Sequence, residues 1–285
     1  MTVTTALLCN PVIHTGSKSP KNAVVAVIPA RYNSARLPGK PLLLIDGKPL
    51  IVWVAERAAA AATISRTIVA TDDTRIADAA GAAGFDVVMT RADHATGTDR
   101  IAEVAHNLQA QIIVNVQGDE PLIDPATIDR AVDALRSDPE AQMSTTYEAI
   151  DDEADVLSSS VVKIAIDDEG YATAFSRNPI PFPNQAVAKH GSLEAALGAE
   201  PALLFSFKKH TGLYAYRREF LLEFTRWPQS ASERSESLEQ MRALDRGVKI
   251  RVVEAASRSI GVDTEEDLER VRAILERGEQ VNVAL

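Results

Sequence analysis

The sequence predicts an α/β fold built on a mostly parallel central sheet flanked by helices, with a β-rich arm inserted in its second half. Three observations carry this. Val24–Ala30 (VVAVIPA) is an unbroken apolar run of strand length, the pattern of a strand buried on both faces. Similar runs then alternate with helical stretches as far as Arg136, as βαβ units do. After Met143, three strand-like runs follow one another with no helix between them.

Residues 1–22 hold only a short apolar patch, Ala6–Cys9, with no basic region before it and too little length for a signal peptide. They are expected to form a poorly ordered leader ahead of a single domain over 23–285. The first strand runs into RYNSARLPGK, a polar, basic loop. Pro49 to Ala62 reads as a helix with Pro49 near its first turn. A strand over Arg66–Thr71 and a helix over Asp73–Gly81 follow, with Gly81 or Gly84 as its stop. Next come a strand over Phe85–Met89, a helix over Gly97–Gln109, a strand over Gln111–Gln117 and a helix over Pro125–Arg136.

The runs STTYEAI, VVKIAID and YATAFS read as strands, with a turn at Asp168–Gly170. They place the arm at about 143–207. Asn184–Phe205 reads as irregular, with one short helix. His210–Arg217 returns to strand character and leads into a helix from Arg218. Glu233–Arg246 reads as one amphipathic helix ending at Gly247, Lys249–Glu254 as a strand, and Thr264–Arg277 as a final helix stopped by Gly278.

Composition narrows the function. The 285 residues carry 30 Lys and Arg against 40 Asp and Glu, a net charge of −10. Wrapping nucleic acid needs a cationic surplus, so the chain is a poor candidate for it, whereas a nucleotide needs only a local basic cluster. Cys9 is the single cysteine, which rules out an internal disulfide or a cysteine zinc site and fits a reducing cytoplasm. No run of about 18 apolar residues exists to span a membrane.

The basic cluster is Pro29–Lys40, PARYNSARLPGK, directly after the first strand. Ligands of open α/β sheets sit at the carboxyl ends of strands. Arg31, Arg36 and Lys40 there suit a triphosphate, with Ser34 and Gly39 permitting close approach. The loop matches neither GxxxxGK[ST] nor GxGxxG, which argues against a P-loop kinase and a dinucleotide oxidoreductase.

NVQGDEP (Asn115–Pro121) ends a second apolar strand, and Asp119 there is placed either to hold a hard cation such as Mg²⁺ or simply to make a turn. In GVDTEEDLERV, Asp263 or Thr264 can cap the last helix. If Thr264 caps it, with Asp267 as its partner, Asp263 is left free to reach a metal. In HATGTDRIAEV, Gly97 and Thr98 open a helix and Arg100 lies in its first turn. Arg100 is either an anion contact or an exposed side chain. His210 and Tyr214 share one face of a strand, and Glu236 and Gln240 one face of a helix. Ordinary core and solvent-facing roles stand beside ligand contact for all four.

Together these segments closely resemble the 3-deoxy-manno-octulosonate cytidylyltransferase family, also called CMP-Kdo synthetases. The matching stretches are VVAVIPARYNSARLPGKPL, VATDD, HATGTDRIAEV, IIVNVQGDEPLI, SRNPIPF, KHTGLYAYR, ESLEQMRAL and GVDTEEDLERV, in order from about Val24 to Leu275. The resemblance implies a Rossmann-like fold of the nucleotide-diphospho-sugar transferase type. It implies CTP and Kdo as substrates, Mg²⁺ as cofactor, and a cytoplasmic homodimer serving lipopolysaccharide synthesis. By the same resemblance Pro29, Ala30, Arg31, Ser34, Arg36, Lys40, Arg100 and Asp119 contact the nucleotide, and Lys40, Arg36 and Asp119 serve catalysis. Asp119 and Asp263 would hold the metal. Gln117, Arg177, His210, Tyr214, Glu236 and Gln240 would form the sugar site. Thr96 stands where the family more often has Ser, and neither the leader nor Asn184–Phe205 belongs to the motif set. A CMP-sialic acid synthetase is the alternative within the fold, and RLPGKPL and HTGLYAY favour the Kdo enzyme. A nucleotide-sugar sensor that has lost its acids or its basic loop is disfavoured because both are present. A glycosyltransferase is disfavoured because an Asp-x-Asp motif is missing.

Overall fold

The computed structural model describes residues 23–33 and 36–277. The expected leader 1–22, Ser34 and the Gly278 stop lie outside the described residues. In chain order the elements are β1 (Ala23–Ala30), a hairpin of β2 (Leu44–Ile45) and β3 (Lys48–Pro49), α1 (Leu50–Ala59), β4 (Arg66–Thr71), α2 (Thr74–Ala82), β5 (Asp86–Met89), α3 (Gly97–His106), β6 (Ala110–Asn115) and α4 (Pro125–Ser137). There follow β7 (Met143–Ala149), α5 (Glu153–Leu157), β8 (Lys163–Ile166), β9 (Ala172–Ser176), α6 (Asn184–His190), α7 (Leu193–Ala199), β10 (Lys208–Arg217), α8 (Arg218–Phe224), α9 (Ala231–Glu236), α10 (Met241–Leu244), β11 (Ile250–Glu254) and α11 (Glu265–Glu276).

The main sheet runs β11-β7-β10-β6-β1-β4-β5, with β8 beside β10 and β9 beside β8. β1 pairs in parallel with β4 and β6, β4 with β5, and β11 with β7. β10 alone on that path runs antiparallel to its neighbours. The sheet is therefore mostly parallel, as the alternating pattern predicts.

The unbroken apolar run of β1 has a direct cause. Val24, Ala26 and Ile28 point into a core shared with α1, α2, α4 and α11, through Val54, Ile76, Ile128 and Leu268. Val25 and Val27 point into a second core with α3, α8 and α10, through Ile101, Phe220 and Ala243. Both faces are dry, so no residue of the run is free to be polar.

Four expectations are corrected. The strand-like runs after Met143 do not follow one another without a helix, because α5, capped by the Asp152 side chain, lies between β7 and β8. Met143–Ala149 is not arm but a strand of the main sheet, held between β10 and β11. Its partners lie far along the chain, so the sequence pattern around it carries no trace of them. Asn184–Phe205 is not mostly irregular: it forms α6, α7 and a 3-10 turn over Pro201–Ser206, and Leu197 of α7 packs with Ile150, Val156 and Phe207. Glu233–Arg246 is not one helix. It breaks at Ser237, which takes a left-handed conformation at φ 54°. The break lets Arg242 turn back onto Glu233 in a buried two-point pair at 2.8 and 2.7 Å, a bond the amphipathic pattern does not encode.

Candidate active site

β1, β4 and β6 end at the same edge of the sheet, where Ala30 stands opposite Thr71 and Val27 opposite Asn115. The loops that follow them therefore meet. Gly118 makes the meeting close: a β-carbon there would lie 2.8 Å from the backbone oxygen of Pro29. Gly39 does the same within the first loop. It is left-handed, at φ 71°, donates its N–H to the carbonyl of Tyr32 at 3.1 Å, and packs under the Tyr32 ring. The chain then enters a 3-10 turn at Lys40–Leu42. A cleft of about 400 Å³ results, lined by Pro29, Ala30, Arg31, Arg36 and Lys40 from the first loop, and by Gln117, Asp119, Arg100 and Asp263 from elsewhere.

Lys40 sits at its centre. Its ammonium donates to Asp119 Oδ2 at 2.7 Å and Asp263 Oδ1 at 3.1 Å, while Arg36 reaches Asp263 Oδ2 at 3.0 Å. Burial alone would lower the Lys40 pKa, but Asp119 and Asp263 outweigh it and hold the group above its ordinary value. Arg31 lines the cleft with no hydrogen-bond or ion-pair partner among the described residues.

The two aspartates come from distant segments that are stapled together. Val262 donates its N–H to the Asp119 carbonyl at 2.9 Å. Ser259 donates its hydroxyl to Glu120 and its N–H to Glu148 Oε1 at 2.9 Å. Burial pushes the Glu120 carboxyl up to about 7. Thr264 caps α11 in a capping box with Asp267, whose carboxylate also accepts from the Asp263 N–H at 3.0 Å. Capping thus falls to Thr264, and the Asp263 side chain is free to face the cleft.

This arrangement fits a divalent cation. Two carboxylates already converge on one cation, the Lys40 ammonium, and Mg²⁺ characteristically takes one or two carboxylates and completes its shell with phosphate and water. Among the described residues no group of three or more His, Cys, Asp or Glu forms an all-protein metal cage.

Arg100 is not an exposed side chain. It is 4% exposed, donates to Thr90 Oγ1 at 2.5 Å, and lies 3.2 Å from Asp72 Oδ1. Thr96 caps α3 with Asp99 in a capping box, so Thr performs the cap that Ser would.

Among the residues expected at a sugar site, Gln117 lines the cleft and donates to the Gly212 carbonyl at 3.2 Å. His210 and Tyr214 flank that glycine across a bulge in β10, with ring centroids 5.2 Å apart. Thr145 gives its single hydroxyl hydrogen to the Leu213 carbonyl at 2.7 Å, so His210 Nε2 is the donor to Thr145 Oγ1 at 2.8 Å and Nδ1 is left as an acceptor. The ring is packed against Phe175 and Tyr214, and its burial lowers its pKa to about 3, so it is neutral at pH 7. The Tyr214 hydroxyl is buried with no hydrogen-bond partner. Arg177 joins Glu236 instead, its N–H donating to Oε2 at 3.3 Å and its Nε to the backbone oxygen at 3.2 Å. The expected shared face of Glu236 and Gln240 is corrected. Glu236 ends α9, and Gln240 stands at the N-cap of α10 on the far side of the break at Ser237.

Sequence reasoning passed over several residues that hold the site. Asp72 directly follows β4, a position that signals a ligand edge. Glu239 accepts from Thr98 at 2.6 Å and Thr96 at 3.3 Å and lies 3.5 Å from Arg242. Burial raises its pKa. Its partners are tertiary, and no local pattern marks it.

Comparison with known proteins shows the family. A family model described as Cytidylyltransferase matches residues 25–250. The chain is 49% identical over 255 residues to the 3-deoxy-manno-octulosonate cytidylyltransferase of Trichlorobacter lovleyi, covering 90% of this chain and 99% of that one. It is 52% identical over 248 residues to the protein of the same name from Geobacter sulfurreducens, covering 87% and 97%. A solved CMP:2-keto-3-deoxy-manno-octonic acid synthetase complexed with CTP superposes with a TM-score of 0.80 at 42% identity, covering 90% of this chain and all of that one.

Proposed function

The chain belongs to the 3-deoxy-manno-octulosonate cytidylyltransferase family, and from that premise we propose that its cleft joins CTP to Kdo, giving CMP-Kdo and pyrophosphate. The observation that carries the chemistry is the convergence of Asp119 and Asp263 on the Lys40 ammonium, within a loop that also supplies Arg31 and Arg36.

The anomeric C2 hydroxyl of Kdo attacks the α-phosphorus of CTP and gives up its proton to solvent; the new O–P bond forms, and the bond from the α-phosphorus to the oxygen bridging to the β-phosphate breaks, that oxygen leaving with the pyrophosphate. Such a transfer depends on positioning and charge neutralisation. Arg31, Arg36 and Lys40 counter the charge that grows on the departing pyrophosphate. Arg100, fixed by Thr90 and Asp72, offers a rigid guanidinium to the nucleotide. Asp119 and Asp263 would hold Mg²⁺, which when bound neutralises phosphate charge and lowers the pKa of the attacking hydroxyl. Gln117, His210 Nδ1 and the unpartnered Tyr214 hydroxyl suit a hydroxyl-rich sugar, and Arg177 suits its carboxylate. We extend the reading to a cytoplasmic homodimer on the family resemblance. Among the described residues no helix is long and apolar enough to cross a membrane.

Pyrophosphate release tests the assignment, with CTP, Mg²⁺ and Kdo run beside N-acetylneuraminate and the other three nucleoside triphosphates. Release confined to CTP with Kdo supports it. Release with another sugar and none with Kdo keeps the fold and overturns the substrate.

A further inference from the structure

Lys163 opens β8 and is among the largest side chains with no solvent exposure. Its ammonium donates to three backbone carbonyls: Ser158 at 2.6 Å, Val161 at 3.0 Å and Arg177 at 3.1 Å. No carboxylate lies within ion-pair distance among the described residues, and Asp155, the acid whose charge reaches it, pairs with Lys209 at 3.6 Å. Carbonyl dipoles solvate a buried ammonium without neutralising it, and an uncompensated buried charge is costly.

A second cation stands beside it. Among the described residues the Arg177 guanidinium bonds backbone oxygens alone, of Glu236 at 3.2 Å and Ser159 at 3.1 Å. Ser158–Val161 is thus gripped by both cations. The adjoining Val162 carbonyl accepts from the His210 N–H at 2.8 Å, so the same segment also anchors His210. Among the described residues neither charged group bonds a carboxylate, the nearest being Glu236, whose Oε2 accepts from the Arg177 backbone N–H at 3.3 Å.

We propose that Lys163 is a positioning residue for recognition of the sugar's carboxylate: it fixes the Arg177 backbone and leaves an unneutralised positive charge next to it that favours an anionic ligand over a neutral one. The inference rests on the reading that the sugar acid docks at Arg177.

The test uses the full chain with Lys163→Met. KM for Kdo is expected to rise about tenfold or more, with KM for CTP within twofold and kcat changing less than KM for Kdo. The preference of the wild type for Kdo over its C1 carboxamide as a competing ligand should shrink in the variant, and Lys163→Arg should recover part of it. Lys163→Gln, which keeps amide donors for the carbonyls but no charge, serves if the Met variant does not fold. An unchanged KM for Kdo, or both KM values rising together with a lowered unfolding midpoint, overturns the inference alone. A wild type that binds Kdo and the carboxamide equally overturns the Arg177 reading and the inference with it.

Discussion

Val262 donates its backbone N–H to the carbonyl of Asp119 at 2.9 Å, and this bond brings the two carboxylates of the cleft together. Asp263 follows Val262 directly, so the distance between the aspartates is set by backbone pairing rather than by flexible side chains. Ser259 reinforces the staple by bonding Glu120 and Glu148. Ser259→Ala should leave the Glu120 carboxyl without that partner. The expected cost is about 1–3 kcal/mol of stability, the range for a buried group that loses its hydrogen bond, with a several-fold fall in kcat/KM. Urea midpoints and steady-state kinetics check both, and an unaltered kcat/KM would show that the staple does not govern the site.

Asp119→Asn and Asp263→Asn should each lower kcat by at least ~100-fold, the scale of losing one preorganised charge contact. Neither side chain is buried, at 31% and 45% exposure, so the unfolding midpoint should stay near wild type. Chelation should abolish turnover and added Mg²⁺ restore it. Turnover that persists in a chelator sinks the metal assignment.

Gly118→Ala places a methyl group 2.8 Å from the Pro29 oxygen, a backbone atom that cannot swing aside. The two loops must part, at a cost of about 1–3 kcal/mol and with a raised KM for CTP. Thermal unfolding and CTP titration measure the two effects. A wild-type KM would mean that the loop separation does not shape the nucleotide site.

Thr264→Ala removes the cap of α11 and should cost ~1 kcal/mol. Asp267 also bonds the Asp263 N–H, so the substitution should reduce turnover modestly as well. Equal stability of the variant and the wild type in urea would contradict the capping role.

His210 has a folded pKa of about 3 against an ordinary 6.5. The unfolded chain therefore binds a proton between these values that the folded chain does not. Stability contributed by neutral His210 is complete above about pH 6.5 and falls as pH drops toward 3, by up to ~1.4 kcal/mol per unit. His210→Gln should flatten that part of the profile. Urea midpoints at pH 6.5 and 4.5 for both proteins decide it, and identical slopes would refute the buried neutral ring.

Much of the fold is legible in local pattern because its causes are local. The apolar run of β1 announces two dry faces, and Asp73, Thr96 and Thr264 each cap the helix that follows them with a side chain that reaches at most three residues along the chain. The basic loop and the two aspartates are likewise visible, since loops after buried strands are where ligands sit. The break at Ser237 is different. It lets Arg242 meet Glu233 in a buried pair, and helical periodicity continues through it without a mark.

By itself, the sequence determined the burial of β1 on both faces, the starts of α2, α3, α4 and α11 and the chemical kinds of group at the cleft, because each depends on neighbours a few residues away. Only the tertiary structure decided that Asp263 shares a cation with Asp119, that Arg100 is buried against Asp72, and that Lys163 donates to the Arg177 carbonyl. Those relations join segments brought together by sheet pairing. Their energy comes from burial and convergence in space, which no single stretch of the chain contains.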